Sequence, residues 1–206
     1  MRKFLEVGGL VAAVVLVGFG VATLVMGLNG RSTVASNLKA EQIYFGDAKV
    51  DPTVPERYSN HLVDTGAEAR AFAKMMRGHT LESTKQLTYA QMGRFAAKPG
   101  TPVKLTDGNG GTNDAKYALV DAATKQPVAN AARNLWVTET ALTTALNTAY
   151  MADQISLFSL VVGVALLLSG FGFGILAIGG ALRSETTLGF LGRWLPKAGP
   201  KAAPVS

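Results

Sequence analysis

Two long apolar segments constrain what this chain can fold into more than any other feature of its sequence. Residues 7–28 and residues 155–182 contain no Asp, Glu, Lys, Arg or His. A helix of about 20 apolar residues crosses the hydrocarbon core of a bilayer, and in lipid each backbone polar group must be bonded within its own helix. We therefore predict two transmembrane helices, at residues 7–28 and 155–182.

The first apolar segment also begins like a signal peptide, because Arg2 and Lys3 precede it. Its apolar run is longer than the about 7–15 residues of a signal peptide, and no small-residue cleavage pattern follows it. We expect an uncleaved anchor, and the sequence leaves open whether a minority of molecules is cleaved there.

The positions of Lys and Arg predict how the chain is oriented in the membrane. Near the outer ends of the two apolar segments, towards the chain termini, lie Arg2, Lys3, Arg183, Arg193 and Lys197. Near their inner ends lie only Arg31 and Lys39, both after the first segment, and the 15 residues before the second segment contain no Lys or Arg. Lys and Arg near segment ends favour the cytoplasmic side. We therefore predict a plasma-membrane protein with residues 1–6 and 183–206 in the cytoplasm and residues 29–154 as an extracytoplasmic domain. The basic tail, 183–206, is expected to lie partly at the membrane interface and then to be disordered.

The middle of the chain predicts a small, mostly helical domain. Asp64 has the side chain of a helix N-cap, and the residues after it favour helix. Residues 44–63 and 98–111 contain Gly and Pro and predict irregular chain. A short helix is predicted over residues 113–120, followed by a tight turn over 121–127.

A much longer helix is predicted to begin near Asn130, which can cap it. No Pro or Gly interrupts the chain from there to Gly163, so residues 130–182 are expected to form one helix that includes the second apolar segment. Its apolar stripe, Leu135, Leu142 and Leu146, is expected to pack on the helix carrying Phe72 and Met76. The predicted fold class is mainly α, with two transmembrane helices flanking a small helical extracytoplasmic domain.

Small residues four positions apart recur in both apolar segments. The pairs are Gly9 with Ala13, Gly18 with Ala22, Ser159 with Gly163, and Gly170 with Gly174. This spacing lets helix backbones approach closely. We expect the two segments to pack on each other, on a membrane-protein partner or on a second copy. Neither segment carries an ionisable residue, so the sequence predicts no ion pathway through them.

The residues that carry catalytic or metal chemistry are sparse. The chain has no Cys, which excludes a thiolate nucleophile, a disulfide framework and a cysteine metal site. Its two His residues, His61 and His79, could join Asp64, Glu68 or Glu82 in a two-His, one-carboxylate iron site, but their spacing fits partly exposed surface residues better. No Gly-rich nucleotide loop or nucleophile elbow occurs. The sequence therefore predicts no catalytic residue, metal or cofactor.

One cluster of charges has the spacing of a binding face. Arg70, Lys74 and Arg77 lie at i, i+4 and i+7 on the helix after Asp64, and would form a basic stripe. Such a stripe can bind an anionic headgroup or a phosphate, although many basic stripes are simply solvated. No basic run with interleaved aromatic residues occurs, so nucleic acid is not an expected partner.

Several segments of the sequence show a family resemblance. The start MRKFLEVGGLVA, the segment DTGAEARAFAKMMRGHTLESTKQLTYAQM and the segment ARNLWVTETALTTALNTAYMADQISLF resemble an uncharacterised family of actinobacterial membrane proteins. The resemblance implies two anchors and an external domain, without an established activity. Some members bear the name aromatic ring-opening dioxygenase, which the two distant His residues of this chain do not support.

These features predict a non-enzymatic accessory, interaction or structural protein of the cell envelope. Two alternatives stay open. One is an enzyme, either a metal-dependent dioxygenase or another cell-envelope enzyme. The other is a module that senses an anionic lipid or ligand through the basic stripe. The expected partners are the lipid bilayer and a membrane protein or a second copy of the chain.

Overall fold

The computed structural model describes residues 2–179 and is mainly helical. Three helices, α1 (Arg2–Ala40), α2 (Gly66–Ser83) and α3 (Ala131–Ile178), are joined by irregular chain. Two short strands, β1 (Phe95–Ala96) and β2 (Gly111–Thr112), pair antiparallel. Single 3₁₀ turns lie at Glu56–Tyr58, Val103–Leu105 and Ala115–Tyr117. The predicted helical fold is confirmed, and so is the continuity of the long helix as far as Ile178. The predictions for residues 180–206 lie outside the described residues.

Two compact units make up the chain. Residues 29–156 form one unit, and the apolar segments before and after them form the other. Both α1 and α3 contain a window long and apolar enough to cross a membrane. In the apolar unit most large side chains point outward, and Phe19, Leu168 and Ile175 are 65–70% exposed.

The two helix segments of the apolar unit run antiparallel and pack closely at glycines. A Cβ built on Gly170 would lie 2.8 Å from Val17 Cγ2 and 3.0 Å from the carbonyl oxygen of Ala13. A Cβ built on Gly163 would lie 2.7 Å from Leu24 Cγ. Only residues without a side chain allow this approach, so the glycines set the distance between the two backbones.

The contact follows a spacing of seven residues rather than the predicted four. Its buried small residues are Ala13, Gly20 and Gly27 on α1 and Gly163, Gly170 and Ala177 on α3. Gly174 is near the contact, and Gly9 and Ser159 are half-buried. Gly18 and Ala22 are exposed and lie away from this contact. The reason is geometric, since Gly18 is two residues from Gly20 and therefore lies about 200° around the helix from it.

We expect Gly170→Leu to destabilise the helix pair by about 1–3 kcal/mol, because the new side chain overlaps the backbone of Ala13 and Val17. Gly18→Leu is the matched control, since a Cβ at Gly18 meets nothing within 4 Å. Thermal unfolding of the full chain in mild detergent measures both variants. Equal midpoints for the two variants would show that the glycine contact does not hold the pair together.

The core of the unit formed by residues 29–156 is built around Phe45, which is 2% exposed. Its ring stacks on Tyr58 at 5.0 Å and meets the edge of Phe72 at 5.2 Å between centroids. The buried members of this core are Leu38, Phe45, Val54, Val63, Ala69, Ala73 and Leu146. Residues from α1, α2, α3 and the irregular chain between α1 and α2 therefore share one core.

Helix α2 begins one residue later than Asp64 would predict. Thr65 is the N-cap, because its hydroxyl accepts from the Glu68 N–H and the Glu68 carboxylate accepts from the Thr65 N–H. This capping box leaves Asp64 free to pair with Lys39 at 3.2 Å. The prediction of Asp64 as N-cap is wrong, although the position of the helix is right to within a few residues.

Helix α3 is capped as predicted, since the Asn130 side chain accepts from the Ala132 N–H at 3.0 Å. Its leucine stripe is only partly buried. Leu146 is 5% exposed and belongs to the core, whereas Leu135 and Leu142 are 45% and 49% exposed. The buried face instead runs through the neighbouring Trp136, Glu139, Thr143, Leu146 and Asp153. Three of these residues are polar, so apolar periodicity in the sequence does not mark the buried face of α3.

We expect Leu146→Ala to cost about 2–5 kcal/mol, the usual range for a buried leucine. Leu142→Ala should cost about 1 kcal/mol, because half of its side chain is already exposed. Chemical denaturation of the full chain in detergent gives both values. A larger loss at Leu142 than at Leu146 would contradict this assignment of the buried face.

Between α2 and α3 the chain forms a small hydrogen-bonded platform. The predicted helix over residues 113–120 is reduced to the 3₁₀ turn Ala115–Tyr117, because the residues after it are drawn into extended pairing. Ala118 pairs with Ala97, and Val120 pairs with Pro127 around the predicted turn. Asp107 organises the platform, since its carboxylate accepts from the N–H groups of Gly93, Asn109 and Gly111.

Candidate functional site

The basic residues of α2 line an open groove between α2 and α3. The groove has a volume of about 690 Å³. Arg70, Lys74 and Arg77 come from α2, and Arg57 comes from the segment before it. The structure therefore brings the three basic residues predicted from spacing together with a fourth.

The groove is open because its other residues are small or short. Ala67, Ala71 and Ala73 of α2 leave the space between the helices unfilled. The opposite wall is polar and belongs to α3, where Thr140, Thr143, Thr144 and Asn147 recur at a spacing of three or four residues. This spacing places them on one face of the helix. The lining contains no apolar residue larger than alanine.

The positive charge of the groove is largely uncompensated. Over residues 2–179, Arg57, Arg70 and Lys74 form no ion pair, and no Asp or Glu lines the groove. Arg77 alone has a carboxylate partner, with its Nη1 atom 3.5 Å from Glu139 Oε2. Like charges held together cost free energy unless an opposite charge offsets them, so the groove favours an anion.

Aromatic rings support the arginines without neutralising them. The guanidinium of Arg57 lies 4.6 Å from the ring centroid of Tyr58, and that of Arg70 lies 4.6 Å from Tyr150. Arg77 lies 4.7 Å from the ring of Trp136. A ring face attracts a cation without neutralising its charge, so these contacts hold the guanidinium groups while leaving the positive charge of the groove in place.

Glu139 lies beside the groove and is 2% exposed. Its Oε2 atom accepts from Arg77 and from the Thr140 hydroxyl at 3.3 Å. Its Oε1 atom has no hydrogen-bond partner in the described protein. A buried carboxylate favours a nearby cation strongly, so Glu139 holds Arg77 in place.

Sequence reasoning found three of the four basic residues. Arg57 was missed because it lies in irregular chain, where no periodicity relates it to α2. The polar wall was readable from the sequence, since Thr140, Thr144 and Asn147 follow helical spacing. This polar face becomes one wall of a groove only because α2 lies opposite it, and the sequence alone does not show that packing.

The two His residues considered as metal ligands each lie beside a different carboxylate. His61 Nδ1 lies 3.1 Å from Glu68 Oε1, and His79 Nε2 lies 3.2 Å from Asp51 Oδ2. Glu82 is exposed and pairs with neither His residue. In the described part of the chain, no group of three or more His, Asp or Glu residues is placed to hold a metal ion.

The contacts of His79 also do not form a hydrolytic triad. Thr53 Oγ1 lies 2.8 Å from His79 Nε2, the same nitrogen that Asp51 approaches. A triad needs the two ring nitrogens to contact the nucleophile and the carboxylate separately. Thr53 also donates to Asp51 at 2.6 Å, so this cluster is a hydrogen-bonded turn at the surface.

Comparison of the chain with protein-family models, with curated proteins and with solved structures found no match.

Proposed function

We propose that this protein is a membrane-anchored binding protein, held in the plasma membrane by two helices and carrying an anion-binding groove on the outer side. In this proposal it is an accessory or interaction protein of the cell envelope rather than an enzyme. The observation that carries the proposal is the groove itself, which is lined by Arg77 and by three cationic side chains without carboxylate partners among the described residues.

The exposed surface of the apolar unit supports the membrane anchor. A core helix of a soluble protein is mostly buried, whereas the most apolar windows of α1 and α3 are 11% and 17% buried. Exposing that much apolar side chain to water is costly, at about 25 cal/mol per Å². Lipid is the solvent that removes this cost. The distribution of Lys and Arg favours residues 29–154 on the outer side.

The groove supplies binding groups but not the groups of a catalytic site. Its arginines and lysine provide charge and hydrogen-bond donors, and its threonines have no His, Asp or Glu in the groove lining to act as a general base. Arginine and lysine together bind phosphate well, the first through paired N–H donors and the second as a point charge. The resemblance to actinobacterial two-anchor membrane proteins supports the same arrangement of two anchors and an external domain. We propose that the chain is a member of that family.

The test is a titration of the full chain in mild detergent with inorganic phosphate. Binding is measured either by calorimetry or through the fluorescence of Trp136, whose ring lies beneath Arg77. We expect Lys74→Glu to weaken phosphate binding at least about 10-fold, since it replaces an attractive charge with a repulsive one. Lys49→Glu makes the same charge change at an exposed turn outside the groove and should leave binding within about 2-fold. Equal losses in both variants, or no phosphate binding by the native chain, would contradict the proposal.

A further inference from the structure

Resting on the proposed anion-binding groove, we infer that its ligand is a phosphorylated polyol, whose hydroxyl groups are recognised by the α3 wall while its phosphate is held by the α2 wall. The two walls of the groove differ in hydrogen-bonding character, because the α2 wall only donates whereas the α3 wall both donates and accepts.

The α2 wall offers only donors. Arg57, Arg70, Lys74 and Arg77 have no side-chain acceptor, so this wall fits an anionic oxygen and nothing that donates. A phosphate group presents several such oxygens and up to two charges, more than a carboxylate presents. A phosphate therefore offsets the charge of the three uncompensated cations better than a carboxylate does.

The α3 wall offers both acceptors and donors. Among the described residues, the Thr144 hydroxyl and the second N–H of Asn147 have no bond partner, whereas the other side-chain donors of the wall bond within α3. Asn147 Nδ2 donates to the Thr143 carbonyl oxygen at 2.8 Å, and Thr143 Oγ1 donates to the Thr140 carbonyl oxygen at 3.4 Å. The Thr140 hydroxyl donates to Glu139. Each hydroxyl oxygen keeps lone pairs, and Asn147 Oδ1 accepts no hydrogen bond from the described residues. The wall therefore fits groups that both accept and donate hydrogen bonds, as the hydroxyl groups of a polyol do.

The lining argues against other classes of phosphorylated ligand. Nucleotides are usually held by stacking or by an apolar pocket, and phosphopeptides and acyl chains need room for apolar groups. No aromatic residue and no apolar residue larger than alanine lines this groove. Its volume of about 690 Å³ lies within the range of small-molecule sites, so a phosphorylated polyol of several carbons fits.

The experiment compares titrants that differ in one feature. The full chain, in a detergent without a sugar headgroup, is titrated with inorganic phosphate, with glycerol 1-phosphate, with sorbitol 6-phosphate and with sorbitol. We expect sorbitol 6-phosphate to bind at least about 10-fold more tightly than inorganic phosphate, and sorbitol alone to bind far more weakly than either.

Variants of the α3 wall test the source of that preference. Thr144→Val with Asn147→Leu removes hydrogen-bonding groups at nearly constant volume, and should reduce the preference for sorbitol 6-phosphate over inorganic phosphate to less than about 3-fold. Thr138→Val, on the exposed part of α3 outside the groove, should retain the preference.

A short-chain phosphatidylglycerol distinguishes the two possible sources of the ligand, a lipid headgroup and a free phosphorylated polyol. Binding as tight as that of glycerol 1-phosphate indicates a lipid headgroup, and weaker binding indicates a free phosphorylated polyol. Either result is consistent with recognition of a phosphate together with hydroxyl groups.

Two results would overturn the inference while the proposed anion binding stands. The first is phosphate binding with no preference for the phosphorylated polyols. The second is a preference that survives the change of the α3 wall. Failure of every titrant to bind would overturn the proposed function as well, so the two failures can be told apart.

Discussion

Replacing Asp107 by Ala is expected to destabilise the full chain by about 3 kcal/mol or more. The Asp107 carboxylate accepts from the N–H groups of Gly93 at 2.7 Å and of Asn109 and Gly111 at 2.8 Å. Hydrogen bonds to a charged group contribute about 1.5–3 kcal/mol each, and removing the acceptor leaves its donors unpaired. Because Gly93 and Gly111 are buried, water does not readily replace the lost acceptor.

The same carboxylate should make stability depend on acid. Partial burial acts to raise the pKa of Asp107, but the N–H groups donated by Gly93, Gly111 and Asn109 outweigh it and lower the pKa below its usual value of 3.8. The unfolded chain therefore takes up this proton at higher pH than the folded chain does. The contribution of Asp107 is complete above its usual pKa and is lost as the pH falls through its lowered folded pKa.

Thermal unfolding of the native chain and of Asp107→Asn in mild detergent, at pH 7 and at about pH 3, checks both statements. Since a protonated Asp resembles Asn, the stability difference between the two proteins should be large at pH 7 and should shrink in acid. Asp121→Asn gives a comparison in the exposed turn over residues 121–127, where we expect a smaller effect. A difference for Asp107→Asn that stays constant with pH would contradict the role given to its charge.

Gly93→Ala should have an effect of similar size for a steric reason. A Cβ built on Gly93 would lie 2.6 Å from the carbonyl carbon of Gly111 and 2.6 Å from Thr112 Cα, so the new methyl group would overlap backbone atoms of β2. Backbone held in a strand pair cannot yield as a flexible side chain does. The loss should reach about 3 kcal/mol, the upper end of the usual cost of overpacking.

Gly78→Ala is the matched control for Gly93→Ala. Gly78 lies on the exposed side of α2, and a Cβ there meets nothing within 4 Å. Alanine is the better helix former by about 1 kcal/mol, so this variant should be neutral or more stable than the native chain. Thermal unfolding of the full chain compares the two, and a Gly93→Ala variant as stable as Gly78→Ala would show that the backbones are not held at this distance.

The helical framework was predictable because long apolar runs and missing helix breakers act locally along the chain. The absence of charge in residues 7–28 and of Pro and Gly between Asn130 and Val162 is visible without the fold. The start of α2 was also readable, since Thr65 and Glu68 have the spacing of a capping box. The side chain of Asp64 also suits an N-cap, but the reciprocal hydrogen bonds of Thr65 and Glu68 decide where the helix begins.

Packing was harder to predict, because it depends on which face of a helix its partner covers. The buried face of α3 includes Glu139 and Asp153, which an apolar pattern excludes. Asp153 is 8% exposed and pairs with Arg31 at 3.1 Å, and Gly66 leaves room for its side chain. The contact between the apolar helices likewise follows seven-residue spacing, which the pairs four residues apart did not reveal.

The residues of the groove were likewise predictable only where they are close in sequence. Helical spacing was enough to place Arg70, Lys74 and Arg77 on one face. Arg57 and the polar wall of α3 join them only through the fold, across sequence separations that no local pattern encodes. The proposed specificity depends on that wall, so it could not have been reached from the basic stripe alone.

The most direct test of the central claim, a groove held outside the cytoplasm by two membrane-spanning helices, is cysteine labelling in intact cells. The native chain has no Cys, so a single Cys introduced by Ser36→Cys, Ala122→Cys or Ser206→Cys reports one position without background. Ser36 and Ala122 are exposed in the unit formed by residues 29–156. An impermeant maleimide should react with the first two variants in intact cells and with Ser206→Cys only after the membrane is permeabilised. Labelling of Ser206→Cys alone in intact cells would place the groove in the cytoplasm and contradict the account.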